Sequence, residues 1–182
     1  SDVCSSDLAS PREGKLTYEA LRKRDEGMKF DELVDYINDL ISHIATYFTC
    51  TDLRHLARLG RCSSVSALIG SVLKIMPVMY VNPVGKLIPI GKVISRKKAL
   101  KALVNKMEGR MLDPKEQGEI FITNANCKED AEFVAQLIKE QYGLDSIISD
   151  IGPVIGSHTS EGCLALAFKA KTRIDTDDPA KY

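Results

Sequence analysis

Val78-Met79-Tyr80-Val81-Asn82-Pro83-Val84-Gly85-Lys86-Leu87-Ile88-Pro89-Ile90-Gly91-Lys92-Val93 is where the hydrophobic period of the chain changes. Two apolar, β-branched runs, Val78–Val81 and Leu87–Val93, flank Asn82-Pro83-Val84-Gly85, whose residue types favour a tight turn. A β-hairpin is predicted here. Upstream, apolar residues recur at three-four spacing. Leu16, Ala20 and Leu21 predict a short helix ending near Gly27. Phe30, Leu33, Val34, Ile37, Leu40, Ile41, Ile44, Ala45 and Phe48 share one face and predict a long, half-buried helix. Thr51 is expected to cap a short helix through Leu53 and Leu56 that Gly60 ends. Ser63 or Ser64 then caps a helix carrying Val65, Leu68, Ile69, Val72 and Leu73, stopped by Pro77.

Downstream of the hairpin, Ser95 caps a helix whose inner face is Leu100, Leu103, Val104, Met107 and Met111, broken at Asp113-Pro114. Glu119–Thr123 reads as a strand, Asp130–Tyr142 as a helix stopped by Gly143, and Ile147 and Ile148 as a strand. A Gly-rich polar turn is expected from Gly152 to Gly162, and Cys163–Phe168 is a closing strand. The order is N-terminal helices followed by β-β-α-β-α-β-β. That predicts an α+β fold, one sheet with helices packed on a face.

Composition narrows the function. The 182 residues hold 25 Lys+Arg and 25 Asp+Glu, a net charge of +0, so no basic excess favours nucleic acid or an anionic membrane. At 44% hydrophobic residues the chain can bury a core. Its longest uncharged stretch, Cys62 to Leu73, is too short for a bilayer span. Five cysteines (4, 50, 62, 127, 163) lack metal-type spacing and read as reduced cytoplasmic thiols; no metal or cofactor is expected. Residues 1–8, Ser-Asp-Val-Cys-Ser-Ser-Asp-Leu, read as a translated sequencing adapter joined in frame and are set aside from fold reasoning. Residues 171–182 read as a polar, solvated tail.

Three places gather donors and cations where a helix begins or a loop is Gly-rich. Arg61 precedes a helix N-terminus, with Ser63 and Ser64 beside it; taken alone the residues suit a surface cation and a cap more readily than an anion site. Ser95-Arg96-Lys97-Lys98 places three cations in a first helical turn, against the macrodipole. An anion held there would offset that cost, and Arg96 is suited to bidentate recognition; a solvated basic patch is the alternative. Ile155-Gly156-Ser157-His158-Thr159-Ser160-Glu161-Gly162 offers polar side chains between glycines, with His158 able to donate to an anion or move a proton. His43 and His55 fall in amphipathic helices and read as structural or surface residues. The chain has no P-loop, no G-x-G-x-x-G, no H-E-x-x-H, no C-x-x-C and no G-x-S-x-G. Adjacent Ser157 and His158 cannot by themselves form a Ser–His relay.

At these same three places the chain resembles the DegV family of fatty-acid-binding proteins, from about Ala9 to Ala170. The carrying motifs are Leu56-Ala57-Arg58-Leu59-Gly60-Arg61-Cys62-Ser63, then Gly85-Lys86-Leu87 with Ser95-Arg96-Lys97-Lys98-Ala99-Leu100, then Ile151-Gly152-Pro153-Val154-Ile155-Gly156-Ser157-His158 through Gly162. The resemblance implies a carrier, not an enzyme, from the bacterial fatty acid kinase system. A long-chain fatty acid is bound between two domains, and a kinase partner phosphorylates its carboxylate. It implies that Arg61, Ser63, Arg96, Ser157 and His158 belong to the head-group and kinase-docking region. It implies acyl-tunnel roles for Leu68, Ile69, Val72 and Leu73, for which plain core is the alternative. On this reading residues 9–50 are connecting helices from a truncated first domain, and 51–170 are the second domain. The alternative function is an anion-binding enzyme acting on phosphate or acyl esters with Arg61, Arg96 and His158.

The chain also departs from the family pattern. The first domain's D-S-x-x-D-L start and T-S-x-P-S-type loop are absent, so the chain alone is expected to bind lipid weakly or not at all. Arg12 and Leu59 replace glycines, Ser160-Glu161 replace Gly-Pro, and Asn124 stands where many relatives carry His.

Overall fold

The computed structural model describes residues 11–58, 75–83 and 85–175. Seven helices and six strands are placed among them: α1 (Pro11–Asp25), α2 (Phe30–Ile41), β1 (Ile44–Thr49), α3 (Leu53–Arg58), β2 (Met76–Val81), β3 (Leu87–Val93), α4 (Arg96–Asn105), α5 (Pro114–Gln117), β4 (Ile120–Asn124), α6 (Lys128–Tyr142), β5 (Ser146–Asp150), α7 (Pro153–Thr159) and β6 (Leu164–Lys169). The strands form one mixed sheet in the order β3-β2-β1-β6-β4-β5. Only the β4–β5 pair is parallel, joined by the crossover helix α6. The predicted hairpin is present as β2–β3, with Gly85 at φ 77° in its turn.

The sheet is alternately apolar on both faces. Ala45, Tyr47, Val78, Tyr80, Ile120, Ile122, Leu164, Leu166 and Phe168 pack beneath α4 and α6. The opposite face carries two smaller clusters. At one end Ile44, Phe121 and Ala167 meet Leu16 of α1 and Leu40 of α2. At the other, Phe48, Met79, Val81 and Ala165 meet Leu53 and Leu56 of α3. Helices therefore cover both faces, not one, and the second face is covered at its ends.

The expected long helix over Phe30–Phe48 is corrected to a helix followed by a strand. α2 stops at Ile41, where Ser42 closes it with its hydroxyl on the Asp39 carbonyl at 2.8 Å. Ile44–Thr49 then becomes β1, paired with both β2 and β6 and buried along its whole length. Its β-branched and aromatic side chains fit a strand buried on both faces. A strand of that kind has no polar face to break a helical reading.

Other boundaries also shift. Asp52, not Thr51, accepts from the His55 backbone N–H at 3.0 Å at the start of α3, while the Thr51 hydroxyl donates to the Glu161 carbonyl at 2.8 Å. Asp113-Pro114 opens the short helix α5, its carboxylate accepting from the Lys115 N–H at 2.9 Å. Ser95 caps α4 as expected, accepting from the Lys98 N–H at 3.3 Å. The tail is not wholly solvated. Arg173 and Asp175 are buried, Asp175 accepts from the Tyr47 hydroxyl, and Arg173 donates to the Asn82 carbonyl at 2.7 Å.

A buried ion cluster anchors α1 to the sheet. Lys15 Nζ lies 2.8 Å from Glu19 Oε1 and also donates to the Gln117 and Glu119 carbonyls at 2.7 and 2.8 Å. Lys169 Nζ, from β6, lies 2.9 Å from Glu19 Oε2. Burial pushes the Glu19 carboxyl up, but hydrogen bonds from Lys15, Arg22 and Lys169 outweigh it and hold the group at about 2. Burial lowers the Lys15 pKa against the pull of Glu19. Arg12, where the family carries glycine, is buried and donates to the Ile41 carbonyl at the end of α2. Both contacts fix the start of α1, which brings Pro11 to the edge of the site described next.

Candidate functional site

Between the two clusters on the second face the sheet lies open in a cleft of about 470 Å³. Its floor comes from cross-strand rows. Phe48 of β1, Ala165 of β6 and Thr123 of β4 are register partners; of the next row Thr46 also lines the cleft, while Ala167 and Phe121 lie in the cluster under α1 and α2. On β6 the large side chains Leu164, Leu166 and Phe168 turn to the α4–α6 side, while Ala165 and Ala167 turn to this face. Small residues in the middle of the central strand leave room above it. Pro11 of α1, Leu56 of α3, Val81 and Leu87 of the hairpin, and Ile151, Val154, Ile155, His158 and Thr159 make the walls. Among the described residues no Asp, Glu, Lys or Arg lines the cleft, so no carboxylate opposes a bound anion.

Four polar groups punctuate this apolar lining. The Thr46 and Thr123 hydroxyls and His158 Nδ1 are buried without a hydrogen-bond partner. The Thr159 hydroxyl donates to the Ile155 carbonyl at 3.0 Å within α7. Cys163 also lines the cleft; burial pushes its thiol up to about 12, which keeps it protonated and poorly nucleophilic.

His158 does not sit in a Gly-rich loop. Residues 153–159 form α7, with Pro153 at its first turn, where a missing N–H costs nothing, and His158 in its last. The helix ends in Ser160 at φ 62° and ψ 176°. Ser157 is turned away from the cleft, its hydroxyl donating to the Val154 carbonyl at 2.7 Å. A hydroxyl so engaged is not activated by a base.

Arg96 is not among the residues lining the cleft. Its Nε donates to Asp130 Oδ2 of α6 at 2.7 Å, and Nη2 lies 3.6 Å from Cys127 Sγ. Cys127 Sγ lies 3.4 Å from the Cys163 carbonyl, so Arg96 reaches the cleft wall through one intervening side chain. Burial raises the Cys127 pKa, against the opposing pull of Arg96. Asn124 uses both ends of its amide: Oδ1 accepts from the Cys127 N–H at 3.0 Å, and Nδ2 donates to the Ser149 carbonyl at 3.2 Å. Arg61, Ser63, Leu68, Ile69, Val72 and Leu73 lie outside the described residues. The structure thus brings His158 to the cleft, leaves Ser157 facing its own helix and holds Arg96 behind the wall. Thr46, Thr123 and Ala165 were missed. The alternation Leu164-Ala165-Leu166-Ala167-Phe168 was the available signal for the floor.

Among the described residues no group of His, Cys, Asp or Glu could hold a metal ion, and no helix is long and apolar enough to cross a membrane.

Comparison with known proteins places the architecture. A DegV domain-containing protein of Clostridium perfringens is 43% identical over 162 residues, 88% of this chain and 55% of the relative. The solved structure of the fatty acid binding DegV family protein SAG1342 from Streptococcus agalactiae is 35% identical, with a TM-score of 0.72, over 89% of this chain and 56% of that one. The fatty acid kinase B3 protein of Streptococcus pneumoniae, solved loaded with linoleic acid, shares the fold at a TM-score of 0.75 and 20% identity, over 85% of this chain and 54% of that one. The chain spans about half the length of the curated relatives it matches. The family profile described as "Uncharacterised protein, DegV family" matches residues 1–171, and the chain belongs to the DegV family.

Proposed function

We propose that this chain supplies one wall of a fatty-acid site, with the acyl chain lying along the cleft over Ala165 and its carboxylate toward His158. The cleft itself carries the reading: about 470 Å³, mostly apolar, floored in part by Ala165, free of lining carboxylates among the described residues, and with an unpartnered imidazole nitrogen in its wall residue His158. Its size falls in the range of about 300–1,000 Å³ typical of small-molecule sites. The fatty-acid binding stated for the Streptococcus agalactiae relative supports the same ligand class. The ligand is a long-chain fatty acid, with no other cofactor.

The chemistry follows from what the site lacks. Ser157 is not poised as a nucleophile, and the Cys163 thiol stays protonated. In acyl-phosphate formation the carboxylate is itself the nucleophile, so a carrier's site need only hold and present it. The bound acid is therefore presented to a kinase partner, which supplies the nucleotide and transfers the phosphoryl group to the carboxylate. The sequence resemblance and the shared fold with the fatty acid kinase B3 protein support that partner. Arg96 and the exposed Lys97 and Lys98 at the start of α4 supply the basic docking surface, with Arg61 assigned to the same role by the resemblance, and the domain built on the six-stranded sheet, β1 included, is the second domain of the carrier. The protein works in the cytoplasm.

The test is a titration of the chain with carboxyl-labelled palmitate, followed by NMR. The expected result is weak, saturable perturbation of His158 and of methyls lining the cleft, abolished by Ala165→Phe, which fills the floor. Perturbation centred elsewhere, or binding unaffected by Ala165→Phe, refutes the assignment. Incubation with ATP and palmitate without a partner is expected to yield no acyl phosphate.

A further inference from the structure

α7 is short, and its last carbonyls must find partners outside the helix ladder. Gly156 and Ile155 carbonyls are served from within, by the Ser160 N–H at 2.9 Å and the Thr159 hydroxyl at 3.0 Å. The Ser157 carbonyl is served from another element: His55 of α3 brings Nε2 to 2.6 Å from it. A carbonyl only accepts, so Nε2 carries the proton. The contact joins positions 102 residues apart, and α3 and α7 pack against one another at this point.

The accepting carbonyl belongs to the peptide that leads directly into His158. The turn that follows is pinned at two points just after Ser160. The Thr51 hydroxyl, just before α3, donates to the Glu161 carbonyl at 2.8 Å, and the Gly162 N–H donates to the Ala125 carbonyl at 2.8 Å. His158 itself makes no polar contact through Nδ1. Its orientation is then set by the backbone that carries it, and that backbone is held by α3.

From this geometry we infer that His55 is a positioning residue for His158. Its Nε2–H bond to the Ser157 carbonyl fixes the last turn of α7 so that His158 is held in the cleft wall with its buried Nδ1 unpaired. The ring is thus ready to meet a ligand carboxylate without first breaking a bond inside the protein. Preorganisation of that kind raises affinity by sparing the ordering cost on binding. The inference deepens the fatty-acid reading and rests on it only for the identity of the ligand; the positioning is a property of the ligand-free chain.

The experiment compares wild type, His55→Ala and His55→Gln by NMR without lipid. The Gln amide can reach out as a donor, while Ala removes the bond. In wild type the His55 ring is expected as the Nε2–H form. In His55→Ala, nuclear Overhauser contacts from the His158 ring to the cleft methyls are lost, and exchange of the Ser160 amide speeds up about fivefold to tenfold, as for loss of one local hydrogen bond. Amides of β6 and α6 keep their wild-type rates, which shows that the fold is intact. His55→Gln restores the His158 contacts at least in part. Wild-type His158 contacts in His55→Ala overturn the inference, whether or not the Ser160 amide changes. So does failure of both variants to differ from each other. A chain that shows the expected coupling yet never perturbs on palmitate addition refutes the fatty-acid reading and leaves the positioning intact.

Discussion

Ser160 sits at φ 62° and ψ 176°, a conformation essentially confined to glycine, and its hydroxyl is buried without a partner. Backbone held there costs about 1–3 kcal/mol. The orphaned hydroxyl adds about 1–3 kcal/mol of desolvation. Ser160→Gly removes both and gives back about 0.5–1 kcal/mol through the freer unfolded chain. The net expectation is a gain of about 1–5 kcal/mol. For a chain of this length, about 2–4 °C of Tm accompanies each kcal/mol, so Tm rises by at least about 2–4 °C. The assay is urea unfolding together with calorimetry, and an unchanged urea dependence is required, so that the comparison concerns the native state. Ser160→Ala separates the two causes. It deletes the hydroxyl and keeps the Cβ at positive φ, so it recovers the desolvation cost and none of the strain. Equal stabilisation by Gly and Ala refutes the strain argument, and a neutral or destabilised Ser160→Gly refutes the whole account.

Three further outcomes follow from the packing. A Cβ built on Gly162 falls 2.6 Å from Thr51 Cγ2, and the residue has φ 79°, so Gly162→Ala is expected to cost about 2–4 kcal/mol by urea unfolding. Thr51→Ala in the same chain removes the nearest atoms and restores part of that loss in a double-mutant cycle. Glu19 is held at about 2 against 4.5 when unperturbed, so its contribution is complete above about pH 5 and is lost as pH falls toward 2, up to about 3 kcal/mol. Urea midpoints measured downward from pH 7 are expected to show that fall, and Glu19→Gln to abolish it while costing about 3–5 kcal/mol by stranding Lys15 and Lys169. Asp175→Ala leaves Tyr47 without its acceptor and removes the counter-charge near Lys106 and Arg110, and is expected to cost about 2–4 kcal/mol in the same assay.

Residues whose partners lie near in sequence were legible. Ser95 as the cap of α4, Gly143 in the left-handed conformation ending α6, and the hairpin around Asn82–Gly85 are all local choices, and the chemistry of a few residues determines them. Ile44–Phe48 was not legible, because its side chains satisfy a helical period and a doubly buried strand equally. What distinguishes the two is the pairing of Thr46 with Ala167 and of Phe48 with both Met79 and Ala165, contacts that no local window contains. Arg173 and Asp175 misread as tail for the same reason. Their polarity is ordinary for a solvated end, and their burial comes from Asn82 and Tyr47, about 90 and 128 positions away.

The cleft shows the same division within one strand. That β6 keeps its large side chains on one face can be read from Leu164 to Phe168. That this face of Ala165 borders a cleft cannot, since the cleft's walls come from α1, α3, α7 and the hairpin, all but α7 far from β6 in sequence. The family's glycine at position 160 marked a backbone need, and the serine found there keeps the left-handed φ instead of abolishing it. Glu161 holds that turn with its carbonyl on Thr51 and its carboxylate on Asn126 at 2.7 Å. The substituted loop thus retains its shape at a cost in stability, through contacts supplied by α3 and the β4–α6 turn. His158, two residues before the strained position, is carried at the cleft by that same frame. A substitution that looks like damage to the site is, on these contacts, a tax on folding, and relieving it with glycine should raise Tm while leaving the His158 contacts to the cleft methyls as they are.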